Sequence, residues 1–156
     1  MTTTNELLEA YAKGERNFRG ANLMDANLWG ANLTYANLWG ANLTYAILRG
    51  ADLKGANLKG ADLWRANLMD AYLKGADLCR ANLMDAYLKG ADLTNADLTS
   101  ANLKGADLTG ATLPENARMV TIWDEKTIWP TTCGPRERNE SPWRTSTKQR
   151  KGKRHE

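Results

Sequence analysis

The chain has 156 residues, of which 42% are apolar and 25% charged, so it is long enough for one domain with a core and is not disordered on average. Valine and isoleucine together number four, which disfavours an ordinary β-sandwich. The only histidine, His155, nearly excludes sites that need a buried imidazole, and no apolar run approaches the roughly 18 residues of a membrane span. We therefore expect no enzyme, no metal site, no cofactor, no small-molecule substrate and no transmembrane segment.

The net charge of +3 is unevenly distributed. Residues 1–15 carry −2, residues 16–113 carry +1 and residues 114–156 carry +4. Cys79 and Cys133 lie far apart and form no CxxC pair, so they predict free thiols in a reducing compartment. Because the first residues also lack the basic-then-apolar pattern of a secretion signal, we expect a cytoplasmic location.

An N-terminal cap is predicted over residues 1–15, in which residues 3–13 form a short helix. Thr3 and Glu6 have the spacing of a capping box. An apolar helical face follows, made by Leu7, Leu8 and Tyr11. We expect this helix to lie over the first turn of the element that follows.

A strict five-residue repeat fills the middle of the chain. Alanine recurs every five residues from Ala21 to Ala111, and a leucine stands two residues after each, nineteen times in all. An irregular first unit places Phe18 at the leucine position, so residues 16–113 hold twenty consecutive units without an insertion. Such self-similarity is typical of a solenoid.

A period of five suits neither an α-helix nor a flat strand. Five residues advance an α-helix by roughly 500°, and an odd period throws successive strand residues to opposite faces. A short extended Ala-x-Leu step followed by a turn satisfies the pattern, with alanine and leucine inward and the intervening Asn or Asp outward. Glycine stands ten times at the second turn position, where it relaxes the backbone limits of a tight turn. The predicted core includes Phe18, Leu23, Leu28, Leu48, Leu68, Leu88 and Leu108.

Units such as ANLMD, ANLWG, ADLKG and ADLTN resemble the pentapeptide repeat, A(D/N)LXX, over residues 16–113. The resemblance implies an all-β fold, a right-handed quadrilateral β-helix with four pentapeptides in each coil, and therefore about five coils. The lead-in LLEAYAKGERNF and the exit TIWDEKTIWP are similar to the flanks of bacterial members of the family, many of them cyanobacterial.

A C-terminal cap is predicted over residues 114–130. Pro114 breaks the repeat, and an apolar group follows that is expected to cover the last coil. Its main members are Trp123, Ile128 and Trp129. The basic, polar and proline-punctuated segment 131–156 is predicted to be a disordered tail.

Outward positions are the only place for function on such a rod, and many hold large apolar side chains. With four sides, residues twenty apart stack in one column. One face then presents Met24, Tyr45, Trp64 and Met84, and the neighbouring face presents Trp29, Ile47, Met69 and Tyr87. A contiguous apolar patch of this kind often marks a partner contact. The alternative is that these side chains only cover neighbours in their own column, for example Trp29 stacked on Arg49, and spread by duplications such as the repeated ANLWGANLTY.

The functional expectation is a non-enzymatic structural or protein-interaction module with an unknown protein partner, and a homodimer is left open. The family resemblance implies one alternative, a DNA mimic that binds DNA gyrase. That role requires a strongly acidic rod with phenylalanine at the core position, whereas residues 16–113 carry +1 and leucine follows Phe18. A further alternative is attachment to nucleic acid or an anionic surface through the basic segment Lys148–Arg154.

Overall fold

The structure, a computed structural model, describes residues 4–131. Two helices flank the repeat, α1 at Thr4–Ala12 and α2 at Ala117–Val120. Between them, each residue at the outward position between alanine and leucine forms a parallel β-bridge with the residue twenty positions on, from Asn17 with Asn37 to Asp92 with Thr112. The coil therefore contains four pentapeptide units, and its β-structure is a ladder of isolated bridges without longer strands.

Backbone hydrogen bonds join each coil to the next in the same pattern. The N–H of Leu23 donates to the C=O of Asn42 at 2.7 Å, and the N–H of Asn42 donates to the C=O of Ala21 at 2.9 Å. The bridges are confined to the Ala-x-Leu steps, and the corner that follows a step adds one more hydrogen bond between coils, for example from the N–H of Gly30 to the C=O of Arg49 at 2.9 Å. This short step explains why a five-residue period suits the fold although it suits no continuous strand.

The outward Asn and Asp side chains brace the turn that follows them. The Oδ1 of Asn57 accepts the N–H of Lys59 at 3.1 Å, and the Oδ1 of Asp52 accepts the N–H of Lys54 at the same distance. This hydrogen bond needs only one acceptor oxygen, on the side chain two residues before the donating N–H. The amide of Asn and the carboxylate of Asp both supply such an oxygen. The alternation of Asn and Asp in the repeat therefore reflects a structural role.

The corners of the coil use the left-handed region of backbone space. Ten glycines and nine other residues occupy the corner position from Gly20 to Gly110, and all nineteen have positive φ. The nine others, with φ between 54° and 59°, are Asp25, Tyr35, Tyr45, Arg65, Asp70, Arg80, Asp85, Asn95 and Ser100. A non-glycine residue in this region costs about 1–2 kcal/mol. The hydrogen bonds of the ladder therefore hold these nine residues in a backbone conformation that they intrinsically disfavour.

We expect Gly55→Ala to destabilise the protein more than Gly50→Ala does. Both glycines have φ of +64°, so each alanine carries a strain of about 1 kcal/mol. A Cβ at position 50 meets open space, whereas a Cβ at position 55 would lie 2.5 Å from the ring of Tyr35. Thermal denaturation of both variants measures the difference, and adding Tyr35→Asn to Gly55→Ala should remove it. Equal losses in the two single variants would contradict the clash.

The leucine column forms one continuous core. The central leucines from Leu23 to Leu108 are at most 2% exposed, and Phe18 is 7% exposed. The alanines of the middle coils are buried beside them. Each buried leucine contributes roughly 1.5–3 kcal/mol, so the column is the main source of stability. The seven residues predicted for the core all lie in it: Phe18, Leu23, Leu28, Leu48, Leu68, Leu88 and Leu108.

Helix α1 closes the N-terminal end of the core. Leu7 is fully buried, and the hydroxyl of Tyr11 donates to the C=O of Thr34 at 2.9 Å. The Oε1 of Glu15 accepts the N–H of Asn17 at 2.6 Å, so a side chain takes a backbone donor at the end of the ladder. Thr3 of the predicted capping box lies outside the described residues.

The C-terminal cap continues the ladder on two sides. Ile122 bridges Asn102, and Ile128 bridges Asp107 one residue out of step with the twenty-residue register. Ile128 is therefore an outward ladder residue, 51% exposed, and the prediction that it covers the last coil is wrong.

The cover at this end comes from other side chains of the cap. Trp129 packs partly buried against the core, with the half-exposed Trp123 at its edge and ring centroids 5.9 Å apart. The Oγ1 of Thr127 donates to the C=O of Leu103 at 2.9 Å, in place of the missing next coil. The predicted disordered tail, from residue 132 onward, lies outside the described residues.

Candidate interaction surface

The twenty-residue register defines four faces along the rod. Face 1 contains the units 16–20, 36–40, 56–60, 76–80 and 96–100, and faces 2, 3 and 4 follow in steps of five residues. Face 2 carries Met24, Tyr45, Trp64 and Met84, and face 3 carries Trp29, Ile47, Met69 and Tyr87. We call these eight side chains the apolar surface. They spread over four successive coils on two adjoining faces.

The members of the apolar surface differ in exposure. Trp29 is 71% exposed, and Met24 and Tyr87 are about half exposed. Tyr45 and Ile47 are also exposed, whereas Trp64, Met69 and Met84 are of intermediate burial. Five large apolar side chains therefore meet solvent directly, which is more than the scattered single residues of an ordinary surface.

On face 2 the apolar residues also cover their own neighbours. The rings of Tyr45 and Trp64 lie 5.0 Å apart at an angle of 59°, and Trp64 Nε1 donates to Asp85 Oδ2 at 3.4 Å. The guanidinium of Arg65 lies 5.3 Å from the Trp64 ring. These contacts fix Trp64 in place, so the alternative of cover within the column holds for this residue.

Face 3 is more open. Trp29 borders a shallow hollow of about 290 Å³ together with Asn27, Ile47 and Arg49. Arg49 does not stack on Trp29 as suggested from the sequence; its Nη2 lies 3.6 Å from Asp70 Oδ2. The cation–π stack between successive coils occurs on face 1 instead, where the Arg19 guanidinium lies 3.4 Å from the Trp39 ring.

Asp92 and Asp97, in the last two coils, accept hydrogen bonds from the turns that follow them. The Thr94 hydroxyl and backbone N–H lower the pKa of Asp92 below its ordinary value, and Thr99 lowers the pKa of Asp97 in the same way, with a smaller contribution from Lys59. These carboxylates bind the turn that follows them. Their arrangement is therefore structural, in line with their alternation with Asn in the repeat.

One group of potential metal ligands lies on face 1. The carboxylates of Asp77 and Asp97 and the thiol of Cys79 lie within 4.8 Å of one another. The Oδ1 of Asp77 already accepts the N–H of Cys79 at 2.9 Å, as in other units. The two aspartates lie in one column on adjacent coils, and each carboxylate accepts the backbone N–H of its own turn.

None of the helices within residues 4–131 has the length and apolar character needed to cross a bilayer. The pentapeptide repeats family profile matches residues 21–60, 46–85 and 80–113, with eight copies. This chain belongs to the pentapeptide repeat family. The membership expected from the A(D/N)LXX units is thereby confirmed, and the family's quadrilateral β-helix agrees with the four-unit coil.

Three of the solved structures similar to this chain are cyanobacterial pentapeptide repeat proteins. Rfr23 from Cyanothece 51142 is 28% identical with a TM-score of 0.59, over 81% of this chain and 98% of that one. The protein alr5209 from Nostoc PCC 7120 is 36% identical with a TM-score of 0.45, over 78% and 96%. HetL from Nostoc sp. strain PCC 7120, a protein involved in heterocyst differentiation regulation, is 40% identical with a TM-score of 0.30, over 62% and 57%. No curated protein matches the chain.

Proposed function

We propose that this pentapeptide repeat protein is a non-enzymatic interaction module that presents the apolar surface of faces 2 and 3 to a protein partner. The observation that carries the proposal is the exposure of Met24, Trp29 and Tyr87 on adjoining faces of a rigid ladder. Aromatic and methionine side chains are enriched in the core of protein interfaces. Because the coil already holds their backbone at fixed positions, binding costs only the rotamer freedom of these side chains and no ordering of the backbone.

We also propose that the rod has about five right-handed coils, flanked by an N-terminal cap (1–15), a C-terminal cap (114–130) and a basic tail (131–156). Twenty units with four in each coil support this number, and coils about 4.8 Å apart make a rod about 24 Å long. Cys79 is a free thiol, which fits a reducing cytoplasm as the working place of the protein.

We expect the double variant Ile47→Asn and Tyr87→Asn to lose partner binding without losing stability. Both residues stand at the outward position where Asn or Asp is usual, and the new Oδ1 can accept the N–H two residues on. Each lost anchor should weaken binding about tenfold or more. The measurement is quantitative capture from a lysate of the native host on immobilised full-length protein, with a melting curve to show that the fold is intact.

The matched control is Tyr72→Asn, which makes the same change at the same repeat position on face 4. A partner of the apolar surface should be retained by this control and lost by the double variant. If both variants retain the same proteins as the parent chain, the apolar surface does not bind the partner.

The charge pattern argues against the gyrase-binding alternative. Residues 16–113 contain ten basic and nine acidic side chains, and none of the four faces is acidic along its whole length. Supercoiling by DNA gyrase should therefore continue at its full rate in the presence of excess protein. Inhibition that depends on the intact fold would overturn this prediction.

A further inference from the structure

Faces 1 and 4, which lie opposite the apolar surface, carry charges that are segregated along the rod. In residues 17–75 these faces hold four basic residues and one acidic residue, a balance of +3: Arg19, Lys54, Lys59 and Lys74 against Asp52. In residues 76–113 they hold three acidic residues and one basic residue, a balance of −2: Asp77, Asp92 and Asp97 against Arg80. We call these the basic half and the acidic half.

Faces 2 and 3 show no such division. Their charged residues sum to −1 in residues 17–75, from Asp25, Arg49, Asp62, Arg65 and Asp70. They sum to zero in residues 76–113, from Asp85, Lys89, Lys104 and Asp107. The segregation is therefore a property of one side of the rod and does not follow from the repeat itself.

Like charges on this side are stacked, although Lys54 and Lys74 attract Asp92 and Lys59 attracts Asp97 within one chain. The carboxylates of Asp77 and Asp97 come within 4.8 Å of each other, and Lys54 and Lys74 occupy one column on neighbouring coils. Arg49 and Asp70 form an ion pair on face 3, outside this side of the rod. An incoming surface with the opposite order of charges would relieve the repulsion in both halves.

We propose that faces 1 and 4 are the contact surface of an antiparallel dimer, whose second member is another copy of this chain. A two-fold axis across the rod brings the basic half of each copy against the acidic half of the other, so the same attraction is made twice. A parallel pair would set like charges against each other. Lys59 and Asp77 on face 1, and Lys74 and Asp92 on face 4, lie on the two coils next to the axis.

The middle of this surface also offers apolar contact. Tyr72 is 53% exposed on face 4 in the central coil, close to the axis of the pair. The dimer leaves the apolar surface on faces 2 and 3 free, so it does not depend on the proposed partner. Because exposed charges dominate the contact, its strength must fall steeply as salt screens them.

Sedimentation equilibrium of the full-length protein tests the proposal. At about 20 mM NaCl, where the Debye length is roughly 20 Å, the mass should rise with concentration from 17.3 kDa to twice that value and stop there. At about 0.5 M NaCl it should return to the monomer value. A monomer at all concentrations in low salt overturns the proposal. Growth beyond the dimer overturns it as well, because head-to-tail contacts do not close.

Two charge-reversal variants test the surface. Lys59→Glu with Lys74→Glu removes the basic half and should abolish the dimer in low salt. Lys89→Glu with Lys104→Glu makes the same change in net charge at the same repeat position on faces 3 and 2, and should leave the dimer intact. If both variants behave alike, net charge rather than this surface controls association, and the proposal fails.

A mixing experiment tests whether attraction between opposite charges on faces 1 and 4 holds the dimer together. Asp77→Asn and Asp97→Asn keep the turn acceptors, and Thr94→Lys and Thr99→Lys place lysine where the repeat often has it, so the combined variant has no acidic half. It should be monomeric alone. Mixed with the Lys59→Glu, Lys74→Glu variant, it should form a mixed dimer, because its basic half meets an intact acidic half. Absence of the mixed dimer contradicts the pairing.

Discussion

Replacing Leu68 with asparagine should unfold the rod in one cooperative transition at a much lower temperature than the parent chain. Leu68 is fully buried in the central coil, between leucines of the coils before and after it. Loss of a buried leucine costs about 2–5 kcal/mol, and a buried amide without partners adds about 1–3 kcal/mol. A domain of this size has a stability of about 5–15 kcal/mol, so the substitution removes a large part of it.

The test is a thermal melt followed by far-ultraviolet circular dichroism, with two controls. Leu68→Met keeps the volume and the apolar character, and should cost less than about 1.5 kcal/mol. Ile47→Asn introduces the same amide at an outward position and should melt at the parental temperature or above it. A Leu68→Asn variant that melts with the parent chain would contradict the inward position of the leucine column.

The core was predictable because one physical constraint dominates it. The leucine of each unit, for example Leu68, must face inward. The repeat has no insertion, and within each extended Ala-x-Leu step the first and third side chains point to the same side. The neighbouring Asn67 then faces outward, and its Oδ1 braces the N–H of Met69 at 3.1 Å. The number of sides did not follow from this spacing; it came from the family resemblance.

The corner conformation was only partly predictable. Glycine at the corner suggested a turn, but Tyr45 and Arg65 adopt the same positive φ. The N–H of Arg65 donates to the C=O of Met84 on the next coil at 3.0 Å, so the ladder determines the backbone and overrides the preference of the residue. Local sequence carries no sign of this override, because the partner lies nineteen residues away.

Side-chain directions on the surface were the least predictable feature. The register places Trp29 and Arg49 in one column, yet the Arg49 guanidinium lies next to the Asp70 carboxylate. At this exposed site the attraction between opposite charges outweighs a cation–π contact with the Trp29 ring. Ile128 entered the ladder because the cap contains one additional residue after Ile122, which shifts the register from twenty to twenty-one. A strict period has no means of placing such an insertion.

Removing residues 1–13 should convert the protein into one that associates end to end. Helix α1 supplies Leu7 to the core and anchors Tyr11 on the first coil through Thr34. Without it, the first coil presents Phe18 and an open row of backbone groups to solvent, which is a template for pairing with another chain. Light scattering should show particles that grow with concentration.

Salt separates this association from the proposed antiparallel dimer. Stacking through an apolar end should persist at about 0.5 M NaCl, where screening removes the attraction between exposed charges. The full-length point variant Leu7→Asp should produce the same growth, because a buried carboxylate displaces α1 from the core. Tyr11→Phe loses the hydrogen bond to Thr34 but keeps the ring. In this variant α1 should still cover the first coil, and light scattering should stay at the level of the parent chain. Unchanged scattering in both the truncated chain and Leu7→Asp would show that α1 is not what prevents the ends from stacking.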